Sequence, residues 1–212
     1  MKGITEKTEK VFKSISQLDC IKPYTLVGGT ALALQLATRE SEDLDFMSWR
    51  TRKDEKREVD WPKIKKQLEN IGNLEKFDLL DLDHVEFVVD GVKISFYANP
   101  NFSPVDSEIE FLNNIKLADP GSIGAMKLEV MLRRSKFRDY YDIFSLIKAG
   151  YDLKSMIDKA LKYSGHRLKT KNILALITRS ERFVADEHFT TLNPIYSVTS
   201  LEIEEEIIKA LK

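Results

Sequence analysis

Between residues 26 and 46 the chain reads LVGGTALALQLATRESEDLDF. An apolar run stops at two adjacent glycines, a short helical pattern follows, and an Asp-Leu-Asp triplet re-enters apolar sequence. This order predicts a strand, a Gly-Gly bend, a helix and a second strand in quick succession. With no Cβ, Gly28 and Gly29 let another group approach the backbone closely. A helix starting near Thr30 adds unpaired N–H groups and the positive end of its dipole. Residues two apart on a strand face the same way. Asp43 and Asp45 therefore project together, with Cα atoms roughly 6.5–7 Å apart, while Leu44 turns into the core. Two like charges on one face call for a cation. Mg²⁺ takes oxygen ligands and is typically held by one or two carboxylates plus substrate phosphates. The stretch reads as an anion cradle beside a metal pair.

The rest of the chain divides into two styles. Residues 5–18 carry a helical stripe of Val11, Ile15 and Leu18 that Pro23 ends. Residues 48–60 are a charged connection, and 61–72 a helix with Pro62 at its start and Gly72 at its end. Three strands follow across residues 76–98, with Asp90-Gly91 as a hairpin turn between the last two. The IEFL and IKLA segments add edge strands before Ala118. From Asp119 the pattern turns helical, with Asp119 as a cap and Pro120 in the first turn. Further helices are expected near residues 140–149, 153–163, 171–184 and 200–211. The expectation is an α/β unit over residues 1–118 and a helical unit over 119–212.

Composition narrows the class. Of 212 residues, 42% are hydrophobic, enough for a core. One cysteine, Cys20, excludes an internal disulfide framework. No apolar run approaches the roughly 18 residues that span a bilayer. The reading is a soluble cytoplasmic protein that makes no membrane contact. Net charge is only -1, but residues 124–182 hold 14 Lys/Arg against 6 Asp/Glu. Such asymmetry fits either a polyanion-binding surface or a solvated helical face. His84, His166 and His188 show no zinc spacing and read as surface or loop histidines. Phe137, Tyr140, Tyr141 and Phe144 have helical spacing and read as core.

The two motifs together carry a resemblance. LVGGTALALQLATRESEDLDF resembles the nucleotidyltransferase signature, an apolar residue and Gly-Gly followed by Asp-apolar-Asp-apolar. It is most similar to the AbiEii-type nucleotidyltransferase toxins, in which GGTAL, Arg-x-Ser and DLDF recur. ADPGSIGAMKLEVMLRRSKFRDYYDIFSL supplies a matching helical lysine and an Arg-Asp-x-x-Asp block. The resemblance covers residues 24–147. It implies an α+β fold, a nucleotidyltransferase-like mixed β-sheet flanked by helices and followed by a C-terminal helical bundle. It further implies a nucleoside triphosphate (NTP) substrate with Mg²⁺ on Asp43 and Asp45, and phosphates held by Gly28, Gly29 and Thr30. Lys127 becomes the phosphate-binding cation, Asp142 orients it or the acceptor, and Arg39 and Ser41 contact substrate. The acceptor is a hydroxyl, with RNA and tRNA in particular suggested by the basic half, where residues 159–171 are the stretch to test. The cellular context is a toxin with a cognate antitoxin in a toxin–antitoxin or abortive-infection pair.

One position departs from the pattern. Many nucleotidyltransferases carry a third carboxylate on a facing strand, and the residue aligned there is Ser95. Serine is a poor Mg²⁺ ligand, and Glu86 on the preceding strand is the candidate substitute. The alternative to an enzyme is a weakened module on the same scaffold that binds nucleotide or protein. A small-molecule transferase is a third reading.

Overall fold

In a computed structural model, which describes residues 1–55, 57–164 and 168–212, the chain opens with helix α1 (Glu6–Ile15). Next come β1 (Thr25–Val27), α2 (Gly28–Leu36), β2 (Leu44–Trp49) and α3 (Trp61–Leu68). Strands β3 (Leu74–Asp81), β4 (His84–Val89), β5 (Val92–Asn99), β6 (Glu108–Leu112) and β7 (Ile115–Ala118) follow. Helices α4 (Pro120–Val130), α5 (Phe137–Lys148), α6 (Leu153–Tyr163), α7 (Thr170–Ile177) and α8 (Ser200–Ala210) complete it. The strands form one mixed sheet in the order β3-β4-β5-β2-β1-β7-β6. Strand β2 runs antiparallel to β1 and parallel to β5, and β1 runs parallel to β7. The architecture is the expected α+β, a mixed sheet followed by helices α4–α8.

Local chemistry explains most boundaries. The Asp119 side chain accepts from the Ser122 N–H at 2.9 Å, so α4 starts on a capped Asp-Pro. Asp90 and Gly91 both take positive φ, 47° and 69°, the conformation of a two-residue turn that matches strand twist. Several elements differ from the sequence expectation. Strand β2 continues through Ser48 and Trp49, because parallel pairing with β5 extends to Asn99. Strand β7 is no edge, since β1 pairs with it on the other side. The helix expected over 171–184 ends at Ile177. Beyond it the Phe183 ring stacks on buried Tyr140, and the Val184 N–H donates to the Ser135 carbonyl at 2.7 Å. These tertiary contacts outweigh helix propensity.

The sheet has two unlike faces. Leu44, Phe46, Phe87, Ile94 and Phe96 turn to one side and are buried against the N-terminal helices. Phe96 stacks on Phe46 at 5.2 Å between centroids and meets Tyr24 edge-on at 5.1 Å. Helices α2 and α4 cover part of the other face and leave a cleft. The core is continuous: residues of α4, α5, α6 and α8 belong to the same buried cluster as the strands. Tyr140, Tyr141 and Phe144 lie in it as expected, and α5 packs against α8. Among the described residues, no helix is long and apolar enough to cross a membrane. Replacing Phe96 with Ala removes the ring at the aromatic centre. It should cost about 3–5 kcal/mol, read as a lower denaturant midpoint with an unchanged slope.

Candidate active site

The cleft holds about 600 Å³ and lies between the open face of the sheet, the start of α2 and the α4–α5 turn. Its floor is set by strand register. Val27 pairs with Asp45, Asp45 with Ser95, and Ser95 with Glu86. Directly paired residues share a face, so Asp45, Ser95 and Glu86 form a row across three adjacent strands. Met47, Lys93 and Tyr97 point the same way, and the Lys93 ammonium pairs with Glu86 at 2.7 Å. His84 also lies here, at the start of β4, partly exposed and 3.6 Å from Glu86. His166 and the middle of the 159–171 stretch lie outside the described residues.

The structure gives the Gly-Gly pair a specific cause. Helix α2 begins at Gly28 itself, two residues before the expected start, with extended Val27 as its cap. Gly28 has φ +70°, and a Cβ there would sit 2.8 Å from Asp45 Oδ2. A Cβ on Gly29 would meet Arg39 Nη2 at 2.7 Å and Ser41 Oγ at 3.3 Å. One glycine therefore admits the carboxylate of β2, and the next admits the guanidinium beneath the helix. The exposed N–H groups of this first turn are the orphan donors of a helix N-terminus.

Residues 38–43 connect α2 to the acidic pair and are fixed from several directions. The Thr30 hydroxyl is buried; it donates to the Asp43 carbonyl and shares a 2.8 Å hydrogen bond with Ser41. Thr30 is thus buried beneath the start of α2 and does not line the cleft, as Gly28 and Gly29 do. The Ser41 N–H donates to the Gly3 carbonyl at 3.0 Å, and the Thr8 hydroxyl to the Glu42 carbonyl at 2.9 Å. From the other end of the chain, the Glu40 N–H donates to Leu192 O at 2.6 Å and the Ile195 N–H to Thr38 O at 2.9 Å. Arg39 and Ser41 are buried under the cleft floor rather than in its wall.

Beneath the glycines runs a series of alternating charges. Arg39 donates from Nε and Nη2 to the two Asp142 oxygens at 2.8 and 2.7 Å. Lys127 Nζ lies 2.6 Å from Asp142 Oδ2 and 3.2 Å from Asp139 Oδ1. Arg134 Nε lies 3.3 Å from Asp139 Oδ2. Arg39, Lys127, Asp139 and Asp142 are all buried. Burial by itself pushes the Asp142 carboxyl up, but Arg39 and Lys127 outweigh it and hold the group below its usual range. Asp45 has the opposite balance. Burial first, and then the Asp43 charge, raise its pKa; Lys93, Arg134 and Lys127 only partly offset this. Asp43 itself is exposed, just before β2.

The donor chemistry at Asp43 and Asp45 fits a divalent cation. Among the described residues, no Lys or Arg forms an ion pair with the half-buried Asp45 carboxylate, which also feels the Asp43 charge. Among the described residues, no three His, Cys, Asp or Glu side chains are grouped to hold a metal by themselves. Such a pair would need ligand oxygens from elsewhere, as Mg²⁺ sites with substrate phosphates do.

A family model, "Nucleotidyl transferase AbiEii toxin, Type IV TA system", matches residues 11–207. The chain belongs to the AbiEii family of nucleotidyl transferase toxins. This match runs well past the 24–147 span of the sequence motifs and takes in Leu192 and Ile195, which hold residues 38–40. An uncharacterized protein of Aquifex aeolicus (strain VF5) is 25% identical over 212 residues, covering 97% of this chain and 94% of its own. The crystal structure of JHP933 from Helicobacter pylori superposes with a TM-score of 0.57 at 20% identity, over 98% of this chain and 92% of the other. A candidate nucleotidyltransferase from H. pylori gives 0.58 at 20% identity, over 98% and 95%. These two likenesses speak for the fold. Family membership makes an NTP the substrate class and a toxin–antitoxin pair the context.

Of the residues that sequence reasoning singled out, Gly28, Gly29, Asp45 and Lys127 line the cleft and Asp142 lies among the charges beneath it, whereas Asp43 stands just before β2 and outside the lining, not on the strand beside Asp45, though near enough to raise the Asp45 pKa. Sequence reasoning did not foresee that Arg39 and Asp142, 103 residues apart, would pair. Asp139 was visible only as part of Arg-Asp-x-x-Asp. Asp142→Asn leaves Arg39 buried without its counter-charge and should cost about 3–5 kcal/mol at pH 7. The native pKa of Asp142 is depressed, so its contribution is present above the unfolded value of about 3.9 and is lost as pH falls through the folded one. Denaturation midpoints from pH 7 down to pH 3 should therefore fall less steeply for Asp142→Asn than for the parent chain.

Proposed function

We propose that this chain transfers a nucleoside monophosphate from an NTP to a hydroxyl of RNA, with tRNA the foremost acceptor, and that Mg²⁺ assists at Asp43 and Asp45. The observation that carries the reading is the contact of Gly28 with Asp45 at a helix N-terminus: an anion cradle and the Asp45 carboxylate share one edge of the cleft. In this reading the N–H groups of Gly28 and Gly29 receive phosphate oxygens. Lys127, steadied by Asp142 and Asp139, presents its remaining donor to the triphosphate. The acceptor oxygen bonds to the α-phosphorus as the bond to the bridging oxygen breaks. Pyrophosphate departs with the electron pair, and the hydroxyl proton passes to solvent. Positioning and charge neutralisation carry most of such a reaction. Magnesium would supply further neutralisation of the charge on the phosphate oxygens.

The acceptor assignment rests on charge. Lys162, Lys169 and Lys171 are exposed near the cleft end of α6 and the start of α7. Other cations of the basic half are already paired, Arg138 with Asp186 and Lys148 with Glu206 among them. RNA binding through the lysines should weaken steeply with salt. Ser95, in register between Asp45 and Glu86, is the observation that favours the second reading, a module that binds nucleotide without transfer.

The test is incubation with each α-labelled NTP, Mg²⁺ and total RNA. The parent chain should label a discrete RNA. Asp45→Asn should reduce labelling by about 100-fold or more, the scale of losing a principal electrostatic stabiliser. Nucleotide binding without labelling by any NTP would favour the module. Because the Asp45 pKa is raised, its ionised form costs stability in the metal-free fold. Asp45→Asn should therefore raise the thermal midpoint measured in chelator, and the same variant should lose activity and gain stability.

A further inference from the structure

We infer that Arg134, at the turn between α4 and α5, is the cation that grips the non-transferred phosphates of the substrate and the pyrophosphate they become. This rests on the nucleotidyl-transfer reading above and adds a residue to it. The argument is one of unspent charge. In the series Arg39, Asp142, Lys127, Asp139, Arg134, the first four charges cancel in pairs and are buried. The fifth is left over, and it lies on the cleft wall with 54% of its side chain exposed.

Geometry points the same way. Arg134 Nε is 3.3 Å and Nη2 3.4 Å from the Asp139 oxygens, long for charge-assisted bonds. A guanidinium has five N–H donors, and Asp139 engages two of them. The rest form a planar fork suited to bidentate phosphate binding. The neighbouring cations of the cleft are committed more tightly. Lys127 is 2.6 Å from Asp142, Lys93 2.7 Å from Glu86, and Arg133 2.5 Å from Glu129. Arg134 and Asp45 line the same cleft. An anion bound between them would meet the helix N-terminus at Gly28 on one side and this guanidinium on the other. Two of the three phosphates of an NTP leave together, and they bring more negative charge than the one transferred.

The experiment measures binding of inorganic pyrophosphate and inorganic tripolyphosphate, each with Mg²⁺, by calorimetry on the full chain. Arg134→Gln should weaken both by about 10- to 100-fold, the range for one charged hydrogen-bonding partner. Arg134→Lys should recover part of the loss. Arg133→Gln should change either affinity less than about threefold, as a cation already paired on the surface. In turnover, Arg134→Gln should raise KM for the triphosphate by a similar factor, with nucleoside monophosphate affinity unchanged. A half-exposed side chain should leave the melting midpoint near that of the parent, which separates binding loss from unfolding. Undiminished polyphosphate affinity in Arg134→Gln, or an equal loss in Arg133→Gln, overturns this assignment and leaves nucleotidyl transfer standing. A parent chain that binds neither polyphosphate nor any NTP overturns both.

Discussion

The Arg39–Asp142 pair is the constraint on which the rest of the site depends. A bidentate guanidinium–carboxylate contact of 2.7–2.8 Å joins the segment before β2 to α5, and Lys127 extends it into α4. Burying these charges is costly, and what offsets it is that both Asp142 oxygens are engaged, by Arg39 and Lys127. The geometry they impose reaches outward. Arg39 occupies the space beneath Gly29, so no side chain fits there. With the second glycine set against Arg39 and the first against Asp45, the helix must begin where it does. A paired charge deep in the fold thus decides where N–H groups are offered at the surface.

Above that well-satisfied layer lies a poorly satisfied one. Asp142 is held below its ordinary pKa by partners, and Asp45 is held above its own by burial and by Asp43. The contrast separates two jobs between two carboxylates that lie far apart in the chain. The lower carboxylate is spent on structure, while the upper one keeps an unmet demand for positive charge. Unmet electrostatic demand is characteristic of binding sites. Register maintains it, because Asp45 is locked between Val27 and Ser95 in adjacent strands and cannot turn away.

Much of this was legible in the sequence where the cause is local. The Asp119-Pro120 start and the Asp90-Gly91 turn follow from neighbouring residues, and each took its expected form. Strand pairing placed Ser95 beside Asp45, as alignment to the family pattern suggested. What escaped was set by distant partners. Helix α2 begins at Gly28 and not Thr30 because Asp45 and Arg39 press on the glycines from two sides. Helix α7 stops early because Phe183 is captured by Tyr140. Arg39 read as a substrate contact; its buried carboxylate partner comes 103 positions later, and nothing in the local pattern announces it. The Arg134–Asp139 contact crosses a turn that sequence periodicity does not resolve.

The clasp on residues 38–43 has a consequence for how the molecule comes into being. Gly3 and Thr8 hold this segment from the start of the chain, while Leu192 and Ile195 hold it from near the end. Synthesis delivers the glycines and both aspartates early, yet their scaffold closes only after some 150 further residues have emerged. Until residues 192–195 have folded back onto it, the segment between α2 and β2 lacks half of its anchors, so the order of the signature along the chain is not the order in which its scaffold closes.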